Sequence, residues 1–259
     1  TQPITIPVSY FQLSPSAQFD LNYTAAKHEL LKRMASGGVQ LGLISDTKDG
    51  IIQSKIGDLL FLTKRANADC RKMLVGEDVT RYGITYAGRW VNYQPDDMMK
   101  VERERGGGGL RLRERYIFER PKILTRQTAD EIIAAYDEDN IYYANTLHGT
   151  AVTDKAYHPH YVLGVLNSRI TTWYYRSNSD EEGKVFAQIK IELLRKLPIP
   201  KADKDRQKPV IQLVDRILAA KQRDAEADTS ALEREIDELV YALYGLTPEE
   251  IKIVEGAGK

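Results

Sequence analysis

Cysteine is nearly absent: Cys70 stands alone in 259 residues. No internal disulfide framework is available, and a reducing cytoplasm is the expected compartment. Cys70 itself reads as a small buried or half-buried side chain. Long apolar runs are missing as well, since none approaches the roughly eighteen residues that mark a membrane-spanning helix. Residues 1–8 contain neither an initiator Met nor a basic-then-apolar leader, so a piece cut from a longer protein is expected. No excess of either charge exists, with 37 Lys and Arg against 37 Asp and Glu. Catalytic constellations are also lacking. His148, His158 and His160 include one close pair, but no Cys or ordered carboxylate joins them as a metal set. No Ser/His/Asp arrangement follows from spacing.

Zero net charge argues against a nucleic-acid binder only if the charge is spread evenly, and it is not. Residues 100–126 hold nine basic side chains against four acidic ones, a local excess of five. Residues 224–259 hold ten acidic against three basic ones. Such segregation permits a positive face on a neutral molecule. Hydrophobic content of 42% and charged content of 29% suit a globular chain, long enough for one large domain or two small ones.

Taken in order, residues 1–19 read as a linker with one short strand. Asn22 or Thr24 caps an expected helix whose apolar positions are Tyr23, Ala26, Leu30, Leu31 and Met34, ended by Gly37-Gly38. Residues 39–44 predict a strand and residues 45–50 a polar loop. Residues 55–70 have mixed helical character. Arg89 to Tyr93 alternates as a half-buried strand does. Gly106 to Gly109, four consecutive glycines inside the basic run, predict a flexible loop over residues 99–113. No Gly-Lys-Ser/Thr follows them, so they are not a nucleotide-phosphate cradle. Residues 116–126 read as strand, turn and strand, and residues 131–145 as two strands joined by the acidic turn Asp137-Glu138-Asp139-Asn140. Val162, Val165, Leu166, Ile170 and Trp173 form one helical stripe, with Pro159 in its first turn and Leu197-Pro198-Ile199-Pro200 as an extended stop further on. After a charged linker, residues 201–208, two amphipathic helices follow. Val210, Leu213, Val214, Ile217 and Leu218 mark the first, and Leu232, Ile236, Leu239, Val240 and Leu243 the second. A Ser230/Glu233 capping box is expected to open the second and Gly245 to close it; Thr247-Pro248 starts a last short helix.

Several of these stretches share their wording with a known family. Leu166-Asn167-Ser168 in a helix ending in aromatics, then Leu197-Pro198-Ile199-Pro200, then a helical tail, resembles the C-terminal target recognition domain of TaqI-like adenine-N6 DNA methyltransferases and fused type II restriction-modification enzymes. Met73-Leu74-Val75-Gly76-Glu77-Asp78-Val79-Thr80-Arg81-Tyr82 carries every element of the family's leucine followed by Gly-x-Asp-[Val/Ile]-x-Arg-Tyr. Pro121-Lys122-Ile123-Leu124 is a third piece, and the run ELVYALYGLTPEEIKIVE in the tail a fourth. Physically, Gly76 allows a tight turn and Asp78 accepts backbone N–H groups of that turn. Arg81 is either a partner of Asp78 or another carboxylate, or a phosphate ligand. Residues 45–50 depart from the family's usual glycine-threonine-glycine flavour.

The resemblance implies an α+β fold: a mixed, mostly antiparallel target recognition domain over residues 1–200, and a C-terminal helical hairpin over residues 201–259. It implies binding of a short double-stranded DNA sequence on behalf of a methyltransferase domain of the same parent polypeptide. Candidate DNA contacts are Lys48, Arg81, Arg111, Arg113, Arg115, Lys122, Arg126, Asn145 and Thr146. For Asn145 and Thr146 the alternative is ordinary turn hydrogen bonding. For the glycine loop the choice lies between a mobile arm that orders on DNA phosphates and a solvated insertion.

Catalysis is expected elsewhere. The (Asn/Asp/Ser)-Pro-Pro-(Tyr/Phe) loop that holds a flipped adenine is missing, as is a Gly-rich strand end for S-adenosylmethionine, so that cofactor is expected in the missing catalytic domain. Glu182-Gly183-Lys184 and Glu250-Ile251-Lys252 match the short half of a nuclease motif by chance. The competing reading is a protein-protein scaffold that uses the helical hairpin as its interface.

Overall fold

Thr24 accepts a hydrogen bond from the Lys27 N–H and so caps helix α1, Ala25–Gly37, which buries Leu30 and Met34. In this computed structural model residues 24–179 and 187–256 are described; the strand expected within residues 1–19 and the Glu182-Gly183-Lys184 triplet lie outside them. Strand β1 is short, Gly38–Gln40, and Leu41–Ile44 makes one helical turn where a strand was expected. The expected polar loop is instead strand β2, Ser45–Asp49. Its polar side chains occupy buried places because each finds a partner: Ser45 donates to the Leu41 carbonyl, and Thr47 Oγ1 meets Thr150 Oγ1 at 3.1 Å.

Residues 54–60 make a 3-10 turn and one α-turn rather than a helix, and then come β3, Phe61–Leu62, β4, Cys70–Leu74, β5, Val79–Thr80, β6, Gly83–Ile84, and β7, Trp90–Asn92. Helix α2, Pro95–Glu104, takes up the first part of the expected loop; Pro95 opens it, and Asp96 and Asp97 sit at its positive end. Residues 115–117 form a 3-10 turn instead of a strand. Strands β8, Lys122–Arg126, β9, Ala134–Asp137, β10, Tyr142–Tyr143, and β11, Leu147–Val152, follow.

Two four-stranded sheets result. The central one runs β2-β11-β8-β9 and is antiparallel throughout; the other runs β10-β4-β7-β3, with β10 parallel to β4. The acidic stretch after β9 is therefore no hairpin turn, because β9 pairs with β8 and β10 with β4. Alternation along the central strands serves two cores at once. Ile123 and Ala134 face a helical core, whereas Leu124, Ala135 and Leu147 face a core shared with the second sheet.

The helical core centres on α3, Pro159–Asn167, and α4, Arg169–Ser177. One continuous helix was expected, but Ser168 is extended (φ −70°, ψ 149°). The break frees Asn167: its side chain accepts from Ala134 N and donates to Ala134 O, covering the open edge of β9. Strand β12, Pro198–Pro200, pairs antiparallel with β1. Helix α5, Lys204–Arg223, begins inside the expected linker because Asp203 caps it. Helix α6, Ser230–Tyr244, closes on Gly245, whose φ of 67° favours glycine. The Ser230/Glu233 box does not form, since Glu233 engages Thr229 and Arg81 instead. Helix α7, Pro248–Gly256, starts at Thr247-Pro248 as expected, and Thr247 and Glu250 cap it reciprocally.

Val210, Val214 and Ile217 of α5 and Ile236 and Val240 of α6 share one core with Val162, Val165 and Leu166 of α3. Gly164 allows this approach: a Cβ there would lie 2.7 Å from Val210 Cγ1 and 3.1 Å from Val214 Cγ2. Valine side chains are stiff, so neither neighbour yields easily. Gly164→Ala should therefore cost about 1–3 kcal/mol through overpacking, read as a lowered urea midpoint; an unchanged midpoint would show that α5 does not depend on this contact. Among the described residues no helix is long and apolar enough to cross a membrane.

Candidate nucleic-acid interface

The edge of β2, the loop after α2 and the one-turn helix Ile191–Arg195 converge on an open groove of about 600 Å³, lined by Lys48, Arg111, Arg113, Arg195, Met99 and Tyr116 among others. Lys48 comes from the β2 edge. Arg111 is placed by a two-hydrogen-bond bridge between its backbone and that of Ile52. The groove thus gathers three of the expected contacts and adds Arg195, which sequence reasoning missed. Arg195 lies outside the basic run, and its guanidinium donates to the Thr47 carbonyl at 2.5 Å.

The glycine loop is pinned rather than free. Gly107 N donates to Glu102 O at 2.8 Å, Lys55 Nζ donates to Gly106 O, and the buried Glu102 carboxylate accepts from Lys55 N. The Ser54 hydroxyl, with the N–H groups of Lys55, Leu110 and Gly109, holds the Glu102 carboxyl below the usual glutamate range. A Cβ on Gly107 would sit 2.2 Å from Glu102 Oε1, which explains a glycine at that place.

Most cations around the groove have partners. Lys48 pairs with Asp46 at 3.0 Å, and Arg120, a second missed residue, pairs with Asp46 at 2.7 Å while lying 5.0 Å from the Tyr116 ring. Burial pushes the Asp46 carboxyl up, but Arg120 and Lys48 outweigh it and the net position is below the ordinary value. Arg113, at φ 67°, donates to Gly50 O and lies 3.8 Å from Asp49. Asp49 is held low chiefly by its hydrogen bond to His148, whose other ring nitrogen meets Ile189 O at 2.8 Å. Arg115 sits 3.9 Å from Glu119 and over the Tyr93 ring.

The remaining expected contacts lie elsewhere. Lys122 is 1% exposed, with Nζ 2.5 Å from Asp137 and 2.8 Å from Phe118 O, so it is a core residue and not a DNA contact. Burial pushes its ammonium down and the Asp137 carboxyl up. Arg81 is bound to Glu233 of α6 and to Asn167 O, not to Asp78. Asp78 accepts from Val75 N, as expected of the turn, and pairs with Arg89. Arg126 is half-buried at the end of β8, and its Nε has no hydrogen-bond partner. Thr146 accepts from Gly76 N, and Asn145 N donates to Ile51 O; both sit in turn hydrogen bonding. His160 is bonded to Asp215, and His158 accepts from His160 N.

Next to Arg81, Asp237 of α6 accepts from Arg169 N at the start of α4. Burial raises its carboxyl to about 6, against the pull of the Arg169 N–H and guanidinium. The folded state therefore holds an extra proton between the unfolded value near 4 and about 6. This group's contribution to stability is largest below pH ~4 and is lost as pH rises through ~6. Asp237→Asn should remove that slope, gaining on the order of 2 kcal/mol relative to the parent between pH 4 and pH 7 in urea unfolding. A parent-variant difference that stays constant across that window would show that Asp237 titrates normally.

The architecture, an α+β unit of mostly antiparallel sheets with helices at both ends, resembles that of restriction-modification specificity domains. A solved complex of the type IIL restriction-modification enzyme MmeI with DNA superposes with a TM-score of 0.58 at 10% identity, covering 83% of this chain and 35% of that one. An HsdS subunit from Thermoanaerobacter tengcongensis gives 0.39 at 16% identity over 85% and 51% of the two chains. A type I S subunit from M. genitalium gives 0.38 at 12% over 88% and 51%. The chain thus spans about a third of MmeI and about half of the S subunits. No curated protein matches the sequence. Residues 71–199 match the TaqI-like C-terminal specificity domain, and through that segment the chain belongs to this family.

Proposed function

We propose that the chain reads a short sequence in double-stranded DNA and positions a catalytic domain carried elsewhere on the parent polypeptide. One observation carries this: the segment that matches a specificity domain, residues 71–199, also supplies Arg111, Arg113, Tyr116 and Arg195 to the groove. Arg at such a place makes bidentate contacts with guanine edges or phosphates. Lys48, Arg111, Arg113 and Arg115 are the contacts we assign, with Arg195 and Arg120 added; Lys122 and Arg81 serve the fold. The parent's reaction is N6-methylation of an adenine in or beside the bound sequence, with S-adenosylmethionine as methyl donor in the catalytic domain. Cleavage directed by the same recognition unit is a further activity of that parent. The rival scaffold reading loses its main surface, because the apolar stripes of α5 and α6 are spent inside the chain's own core.

The test is selection of a randomised duplex library on the purified chain at low and moderate salt, followed by sequencing. Enrichment of one short motif supports the proposal and supplies the target. Salt-sensitive retention without a motif assigns phosphate contacts to this chain and base reading to the complete enzyme. No retention at either salt overturns the proposal.

A further inference from the structure

A second positive face lies on the sheet β10-β4-β7-β3. Cross-strand register puts Lys72 beside Trp90 and Trp90 beside Leu62, on the face opposite the buried Val91. The Arg65 guanidinium lies 5.8 Å from the Trp90 ring centre, Lys72 Nζ lies 5.2 Å from that of Tyr86, and the two rings meet edge to face at 6.3 Å. Residues 61–74 carry Lys64, Arg65, Arg71 and Lys72 against Asp69 alone. Among the described residues none of these four cations has a carboxylate partner. Arg65 Nε donates to Asn67 O, and Arg71 Nη1 to Ala68 O and Cys70 O. Around the groove, by contrast, Lys48, Arg113, Arg115 and Arg120 each face a carboxylate, and Arg111 and Arg195 are held by backbone carbonyls.

The aromatic rings explain how such cations are held. A ring positions an ammonium or guanidinium by its quadrupole without neutralising it, so the charge and its donors remain available to an anion. A face whose only task was solubility would carry mixed signs. Here exposed Arg65 and Lys72 stand over the Trp90 and Tyr86 rings, and exposed Lys64 precedes Arg65 in the chain, so positive potential concentrates around a half-buried tryptophan.

We propose that this face is a second DNA contact, in which Lys64, Arg65 and Lys72 bind backbone phosphates of double-stranded DNA independently of base sequence. The proposal rests on the DNA-binding reading above and adds a surface to it. The expected consequence is affinity whose salt dependence exceeds what the groove alone supplies.

The test is a fluorescence-anisotropy titration of the full chain with a 30-base-pair duplex of arbitrary sequence, from about 50 to 300 mM salt. Removing each phosphate contact flattens the plot of log K against log salt by about 0.9, so Lys64→Gln/Arg65→Gln/Lys72→Gln should lose up to about 2.7. Arg65→Lys should keep its slope, and duplex should quench Trp90 fluorescence in the parent. An unchanged slope in the triple variant, with an intact circular-dichroism spectrum, overturns the proposal. If Arg113→Ala/Arg195→Ala flattens the slope and the triple variant does not, the function stands and only this face is excluded. If the parent binds no duplex, both readings fail. Stronger competition by polyglutamate than by duplex would assign the face to an acidic protein and also overturn the proposal.

Discussion

Asp137→Ala is expected to lower the unfolding free energy by about 3–5 kcal/mol, because it leaves the Lys122 ammonium buried without an anion. The loss compounds, since Asp137 Oδ1 also accepts from Asp139 N and Oδ2 from Ile141 N, and those N–H groups would go unpaired. Lys122→Met is expected to cost clearly less. It removes the charge that needs a partner, fills similar volume, and leaves Asp137 with both backbone donors and a carboxyl that burial already pushes toward the neutral form. Lys122 and Asp137 face each other across β8 and β9, so the asymmetry tests which end of the pair the sheet depends on. Urea unfolding of the two variants at neutral pH decides it. A Lys122→Met loss as large as that of Asp137→Ala would mean that the ion pair itself, not the relief of a stranded lysine, stabilises the sheet.

That pair also marks a limit of reading charge from sequence. Lys122 stands in a run of nine basic residues, and nothing local distinguishes it from Arg113 or Arg115. Its burial is set by β9 approaching from fifteen residues away, a pairing that the acidic wording of residues 137–140 disguised as a hairpin turn. The helices were far more legible, because period and caps are local: Thr24, Gly245 and Thr247 act as expected. Strand β2 was not legible, since Ser45, Asp46, Thr47 and Lys48 carry no apolar alternation and are satisfied by β11, a hundred residues away. The Gly76-Glu77-Asp78 turn was legible in detail. What escaped was that the Arg81-Tyr82 end of the same stretch meets the helix stretch through β9: Arg81 donates to Asn167 O, Tyr82 N to Ala134 O, and Asn167 brackets that same Ala134. Two of the four stretches that carry the resemblance thus meet in one structural joint, which gives Arg81, Tyr82 and Asn167 a structural task without any contact to DNA.

The groove makes the second large prediction, and its size follows from counterion release. Arg113 and Arg195 enter the groove from separate elements, and backbone carbonyls, Gly50 O and Thr47 O, orient both side chains, with Asp49 a further 3.8 Å ion-pair partner of Arg113. If each meets one phosphate, Arg113→Ala/Arg195→Ala should flatten the slope of log K against log salt by about 1.8. At about 0.1 M salt that is a loss of about 60-fold, shrinking toward nothing as salt approaches 1 M. Arg81→Ala is the matched control, because its guanidinium is committed to Glu233 and Asn167; it should lower stability while leaving the slope unchanged. If one of the two groove arginines reads a base instead, its single variant keeps most of the slope and relaxes the selected motif at one position. Equal slopes in the parent, the double variant and Arg81→Ala would remove the groove from the DNA-binding surface, whatever the library selects.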